Sequence, residues 1–219
     1  MKLIVLGATG ATGRLLVEQA VERGHEVVAY VRRPEALSER TGLRVVGGQL
    51  TDAPALRSAL TGADAVLCAI GPRRVKDLFG TDLLQRTLPA LADAMSAAGV
   101  RRLVLLSAFG VGATRATASL PAKVIFTTVA RSIQRDKQVA ESRLARADLD
   151  VTTVFAVALT DAAPSDTVVV RDVATVSHVS GFPRVSRADV ARAMVDAVED
   201  DATVGKGLIV SSAGTVTPA

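Results

Sequence analysis

Residues 1–16 read MKLIVLGATGATGRLL. An apolar run, Lys2 to Leu6, is followed by three evenly spaced glycines, Gly7, Gly10 and Gly13, and then by an amphipathic run. The first run suits a short buried strand and the second a helix. Glycine weakens either element, so three between them need a reason. Gly7 lets the chain turn sharply, Gly10 removes a Cβ from the path of a pyrophosphate, and Gly13 lets the helix pack close to the sheet. Phosphates then sit on the helix N-terminus, where unpaired N–H groups and the dipole favour an anion. Thr9 and Thr12 add hydroxyl donors, so the candidate phosphate cradle is Gly7, Thr9, Gly10, Ala11, Thr12 and Gly13. A plain glycine-rich turn would carry the same triplet. The strand before, the helix after and the βαβ pattern that follows are the context a dinucleotide motif requires.

Outward from this turn, short apolar runs alternate with helical patterns. The runs are Lys2–Leu6, Glu26–Val31, Arg44–Val46, Ala65–Ile70, Leu103–Ser107 and Val151–Leu159. Helical patterns cover Gly13–Arg23, Pro54–Leu60, Asp82–Ala98 and Phe126–Ala147. Gly24 and Gly99 stand where helices should stop. After Leu159 the pattern loosens into irregular or short strands. A helix then begins after Ser186, a plausible N-cap, and "GKGLIVSS" is a last strand. The alternation predicts an α/β fold: a doubly wound parallel sheet of the Rossmann type with right-handed crossovers. We expect one domain over residues 1–219, with a small C-terminal substrate lobe mainly in 155–219.

Bulk composition narrows the function. The 219 residues are 49% hydrophobic and 22% charged, as in ordinary globular proteins, with only 3% aromatic. The formal charge is +4, but the basic residues are scattered or in short groups (Arg32-Arg33, Arg73-Arg74-Lys76, Arg101-Arg102), without a basic stripe interleaved with aromatics. Nucleic acid is therefore not an expected partner. The single cysteine, Cys68, lies in an apolar run, and His25 and His178 are far apart, so no disulfide framework and no metal site are expected. "LIVLG" is too short for a signal or membrane segment, which makes a cytoplasmic location without a membrane partner the default. The expected partner is a small-molecule substrate. Assembly into a homo-oligomer is left open.

The end of the second strand addresses the choice of dinucleotide. A NAD site places an Asp or Glu there for the ribose 2′-hydroxyl. This chain has "VVAYVRRPEAL", with two arginines and no acid at that point. Arg32 and Arg33 suit a 2′-phosphate through charge-assisted hydrogen bonds, although a solvated surface pair would read the same. Arg14, after the glycine motif, either helps or is a solvated helix residue. NADP(H) is favoured over NAD(H).

With these residues in place, the chain resembles the atypical short-chain dehydrogenase/reductases, and more narrowly the NmrA-like and flavin reductase (biliverdin-IXβ reductase-like) group. "GATGATG", "VRRPEAL", "GADAVLCAIG", "AGVRRLVLLSAFG", "DKQVAESRLARADLDVTTV" and "SRADVARAMVDAV" fall in that group's order across nearly the whole chain. The resemblance implies that Gln49 and Leu50 lie by the adenine and that Ala69, Ile70 and Gly71 border the adenosine ribose. It implies that Ser107 faces the nicotinamide and substrate, that Lys137 holds the nicotinamide ribose, and that Leu159 and Thr160 flank the carboxamide. Ser107 and Lys137 are thus the catalytic candidates. Bland alternatives are a strand-end serine bonded to backbone and a solvated lysine. Phe109, Phe126 and Phe155 either line an apolar substrate cavity or belong to the core.

Two departures from the group stand out. The tyrosine of typical short-chain dehydrogenases, four residues before the lysine, is replaced by Ile133, and the flavin reductase group lacks that tyrosine too. Phe155-Ala156 stands where relatives commonly have Arg-Pro. The expected function is an NADPH-dependent oxidoreductase passing hydride to an apolar conjugated acceptor such as a quinone, flavin or aromatic polyketide. The alternatives are an NmrA-like protein that senses NADP without turnover, and a redox-neutral cyclase or isomerase on the same fold.

Overall fold

Strand β1 (Lys2–Leu6) lies at the centre of the sheet because both its faces are apolar: from Leu3 onward every residue is fully buried. In a computed structural model, which describes residues 1–71, 83–119, 144 and 148–219, it pairs in parallel with β2 (Glu26–Val31) on one side and β4 (Ala65–Cys68) on the other. The remaining strands of this sheet are β3 (Leu43–Gly47), β5 (Arg102–Ala108), β6 (Asp150–Ala156), β8 (Val168–Asp172) and β11 (Gly207–Ser212). Their order is β3-β2-β1-β4-β5-β6-β11-β8, parallel throughout except for β8, which runs antiparallel to β11. Strand order reverses between β1 and β4, so the crevice of this doubly wound sheet opens at their C-terminal ends.

Side-chain alternation divides the core in two. Leu3, Val5, Val27 and Val104 face α1 (Ala11–Glu22) and α5 (Arg187–Glu199). Ile4, Leu6, Val28 and Leu105 face α2 (Ala53–Leu60) and α3 (Leu83–Ala98). A single turn, α4 (Thr114–Thr117), follows β5. Of residues 155–219, α5, β8 and β11 complete the central layers. Outside them lie two ribbons, β7 (Ala158–Thr160) with β10 (Arg184–Ser186) and β9 (Val176–Val179) with β12 (Val216–Pro218).

The strand expected over Val151–Leu159 is two strands. β6 ends at Ala156, whose carbonyl accepts from Phe109 N at 2.8 Å, and the chain then leaves the sheet to pair with β10. The irregular or short strands expected after Leu159 include the short strands β8 and β9. Ser186 caps α5 as expected, its side chain accepting from Asp189 N. Of the helix expected over Phe126–Ala147, only Leu144 is among the described residues, and it is helical.

Below the crevice, Arg102 joins three elements. Its buried guanidinium donates to the Asp150 carbonyl (3.0 Å), Thr152 Oγ1 (2.8 Å), the Ala197 carbonyl (2.5 Å) and Thr203 Oγ1 (2.9 Å). Its Nε has no partner among the described residues, and burial lowers its pKa.

Candidate cofactor-binding site

The turn after β1 is built from backbone packed on backbone. Gly7 has φ +82°, and a Cβ there would lie 2.6 Å from the Ala69 carbonyl oxygen. Gly13 is tighter: its Cβ would stand 2.1 Å from the Gly7 carbonyl oxygen. The first turn of α1 therefore sits directly on the end of β1. At Gly10 a Cβ would meet the Gly7 oxygen at 3.2 Å, and Gly10 lines an open cleft. Gly10 is also the N-cap of α1, and among the described residues no side chain caps that turn. The helix presents its first-turn N–H groups where a ligand anion can take them. An added side chain at Gly10 would fill this cradle, so the residues present fit a dinucleotide pyrophosphate.

The cleft encloses about 250 Å³ along the C-terminal ends of β1, β2, β3 and β4. It brings together Gly7, Thr9, Gly10, Arg32, Gln49, Leu50, Ala69, Ile70 and Gly71 from the sequence-derived set. Thr12 and Gly13 are buried within the first turn behind it, and Ala11 is exposed at its start. Arg33 is exposed but does not line the cleft. Arg14 reaches the loop after β2, donating from Nη2 to the Ala36 carbonyl at 3.1 Å, which puts a third cation at that corner. No described residue of the lining is acidic.

Tyr30, Val31, Gly48, Thr51 and Thr87 also line the cleft and stand outside the expected site residues, although Tyr30 ends up, as its place on β2 suggests, at the adenosine end. The first four adjoin expected positions at strand ends, where the rule of C-terminal crevices could have found them. Thr87 comes from within α3 and carries no signal of its own. Tyr30 forms the floor: its hydroxyl donates to the Gln49 carbonyl at 3.0 Å, and a Cβ on Gly48 would lie 2.1 Å from that hydroxyl. Burial raises the phenol pKa, and Asp52 adds to the rise.

The other candidates lie further along the edge. Ser107 is buried near the end of β5, in register with Phe155 on β6, so both side chains take one face of the sheet. Phe155 lines a separate cavity of about 390 Å³ with Leu105, Val151, Thr153 and Lys206. Phe109 is buried in the core, and Leu159 and Thr160 are half-buried on β7. Phe126, Ile133 and Lys137 lie outside the described residues. Among the described residues no acidic, histidine or cysteine cluster could hold a metal, and no helix is long and apolar enough to cross a membrane.

A doubly wound parallel sheet whose glycine turn opens on the crevice defines a Rossmann dinucleotide-binding domain. The chain belongs to the NAD(P)H-binding family whose profile matches residues 7–201. It is 40% identical over 110 residues to a (4-alkanoyl-5-oxo-2,5-dihydrofuran-3-yl)methyl phosphate reductase of Streptomyces griseus, covering 50% of this chain and 35% of that protein. The chain spans between about a third and about half of the length of the first curated relatives it matches. Its fold matches the oxidoreductase ylbE of Lactococcus lactis, with a TM-score of 0.79 at 22% identity over 99% of this chain and 93% of that one. It also matches ChuY, an anaerobilin reductase of Escherichia coli O157:H7, with a TM-score of 0.77 at 23% identity over the whole of both chains.

Proposed function

We propose that the chain is an NADPH-dependent oxidoreductase acting on an apolar, conjugated acceptor of the quinone, flavin or aromatic polyketide kind. The observation that carries the cofactor choice is the cleft at the end of β2. Arg32 lines it, Arg14 is tethered beside it, and no described lining residue is a carboxylate. A 2′-phosphate would find cations there, whereas a free 2′-hydroxyl would lack the acid that usually accepts from it.

The pyrophosphate would rest on Gly10 and the first turn of α1, the adenine by Gln49 and Leu50, and the ribose by Ala69, Ile70 and Gly71. The nicotinamide, when bound, supplies a hydride. Ser107 would donate a hydrogen bond to the acceptor oxygen as negative charge builds on it. Conjugated acceptors take their proton from water, which suits a chain with Ile133 where a tyrosine would otherwise stand. The reductase named among the relatives agrees with this class of reaction.

The test is steady-state cofactor oxidation with a quinone and with a flavin, for wild type, Ser107→Ala and the double variant Arg32→Ala/Arg33→Ala. Wild type should consume NADPH faster than NADH, and the double variant should lose that preference. Ser107→Ala should turn over about ten to a thousand times more slowly, the usual cost of one oxyanion donor. Cofactor bound but consumed with neither acceptor would replace this reading with dinucleotide sensing or redox-neutral chemistry.

A further inference from the structure

The cleft described above holds the half of a dinucleotide that lies over β1, β2 and β3. Such cofactors cross the sheet at the strand-order switch, towards the ends of β5 and β6, and the family resemblance implies that the other half runs on to Leu159 and Thr160 of β7. β7 has only three residues, and the segment after it, DAAPSDT (161–167), has no regular structure. Something else must hold this edge still.

The structure supplies a buried carboxylate. Asp189, in the first turn of α5, is 1% exposed. It accepts from Ser186 Oγ at 2.6 Å, from Arg192 Nη2 at 2.7 Å, and from the backbone N–H of Ser165 at 3.2 and 3.3 Å. Arg192 Nη2 also donates to the Ser165 carbonyl at 3.2 Å. Both backbone polar groups of Ser165 are therefore held by α5. Ser186 is at once the cap of α5 and the register partner of Thr160 on β7. Ser186 and Asp189 have the spacing of a capping box, with Ser186 Oγ accepting from Asp189 N at 3.0 Å; the carboxylate reaches beyond that cap to Ser165 and Arg192. Among the described residues, Thr160 Oγ1 also donates to the Val185 carbonyl at 3.3 Å and the Thr167 carbonyl accepts from Ala213 N at 2.7 Å, at the two ends of the segment; the pair of Arg187 with Asp161 lies at the surface with the acid 85% exposed, and such pairs hold little.

We propose that Asp189 is a positioning residue for the nicotinamide half of the cofactor: it fixes Ser165, and through Ser186 and the β7·β10 ribbon it fixes Leu159 and Thr160 at the edge that this half crosses. This rests on the cofactor reading above but not on any acceptor. Calorimetric titration with NADPH and with 2′-phospho-ADP-ribose, which lacks the nicotinamide, separates the two halves. Asp189→Asn should weaken NADPH about tenfold, as expected for one or two lost hydrogen bonds, and leave the fragment unchanged. Ser165→Pro deletes the amide end of the tie, together with the Ser165 Oγ contacts to Thr167 N and Oγ1, and spares the carboxylate's contacts with Ser186 and Arg192, so it should do the same even if Asp189→Asn fails to fold; Ser165→Ala, which loses only the Thr167 contacts, should change neither ligand. Arg187→Ala should change neither ligand. Equal weakening of both ligands, or of neither, overturns the proposal. Equal wild-type affinity for NADPH and the fragment overturns it while leaving the adenosine cleft intact. Failure of wild type to bind either ligand removes the cofactor reading itself and the proposal with it.

Discussion

Gly10 and Gly13 look alike in the sequence, yet they do opposite work. Gly10 has φ −76° and ψ 164°, which any residue adopts, and its missing Cβ leaves room in the cleft. Gly10→Val should keep the fold, with an almost unchanged Tm, and lose dinucleotide affinity in a direct titration. The missing Cβ of Gly13 is occupied by the backbone of Gly7, which cannot yield as a side chain would. Gly13→Ala should cost about 3 kcal/mol or more of stability by overpacking, measured by denaturant unfolding without any ligand. The spacing made both positions legible. That the obstruction at Gly13 is the Gly7 carbonyl itself was not legible, because it depends on how far α1 sinks onto β1. The same holds for Arg32 and Arg33: neighbours beyond a strand end diverge, and sequence cannot say which one turns into the cleft.

Strands with apolar residues on both faces announced themselves, and β1 and β2 have the bounds their residues suggested. The break between β6 and β7 did not, since it is made by distant partners: Val157 N reaches the Val210 carbonyl at 3.4 Å, and Ala158 N the Pro183 carbonyl at 3.3 Å. Arg101-Arg102 is a similar case, a basic doublet that alternation splits. Arg101 points out to Asp148 and Asp150, while Arg102 is buried among carbonyls and threonines. Its bonds tie β5 to β6, to the end of α5 and to the turn at Thr203. Arg102→Met should therefore lower stability by about 2 kcal/mol, the lost charge-assisted bonds outweighing relief of the buried charge. Urea unfolding would show it as a lower midpoint at unchanged m-value, and Arg101→Met should fall within about 0.5 kcal/mol of wild type.

For the whole molecule, cofactor occupancy is also a stability term. A ligand at a hundred times its Kd adds about 2.7 kcal/mol to the folded state. NADP(H) should raise Tm more than NAD(H) at equal concentration, and Arg32→Ala/Arg33→Ala should bring the two curves together. The cleft as a whole was only partly legible, because its wall is assembled from segments far apart in the chain, and Thr87 reaches it from a helix interior. One member of that wall has an optical meaning. The chain has a single tyrosine and no tryptophan, and that tyrosine, Tyr30, is the floor of the cleft. Nearly all of the near-ultraviolet emission of 219 residues thus originates beside the site where an adenine would lie. Quenching of the intrinsic fluorescence becomes a label-free readout of occupancy, blind to events elsewhere in the molecule, and Tyr30→Phe should leave the protein dark under the same excitation.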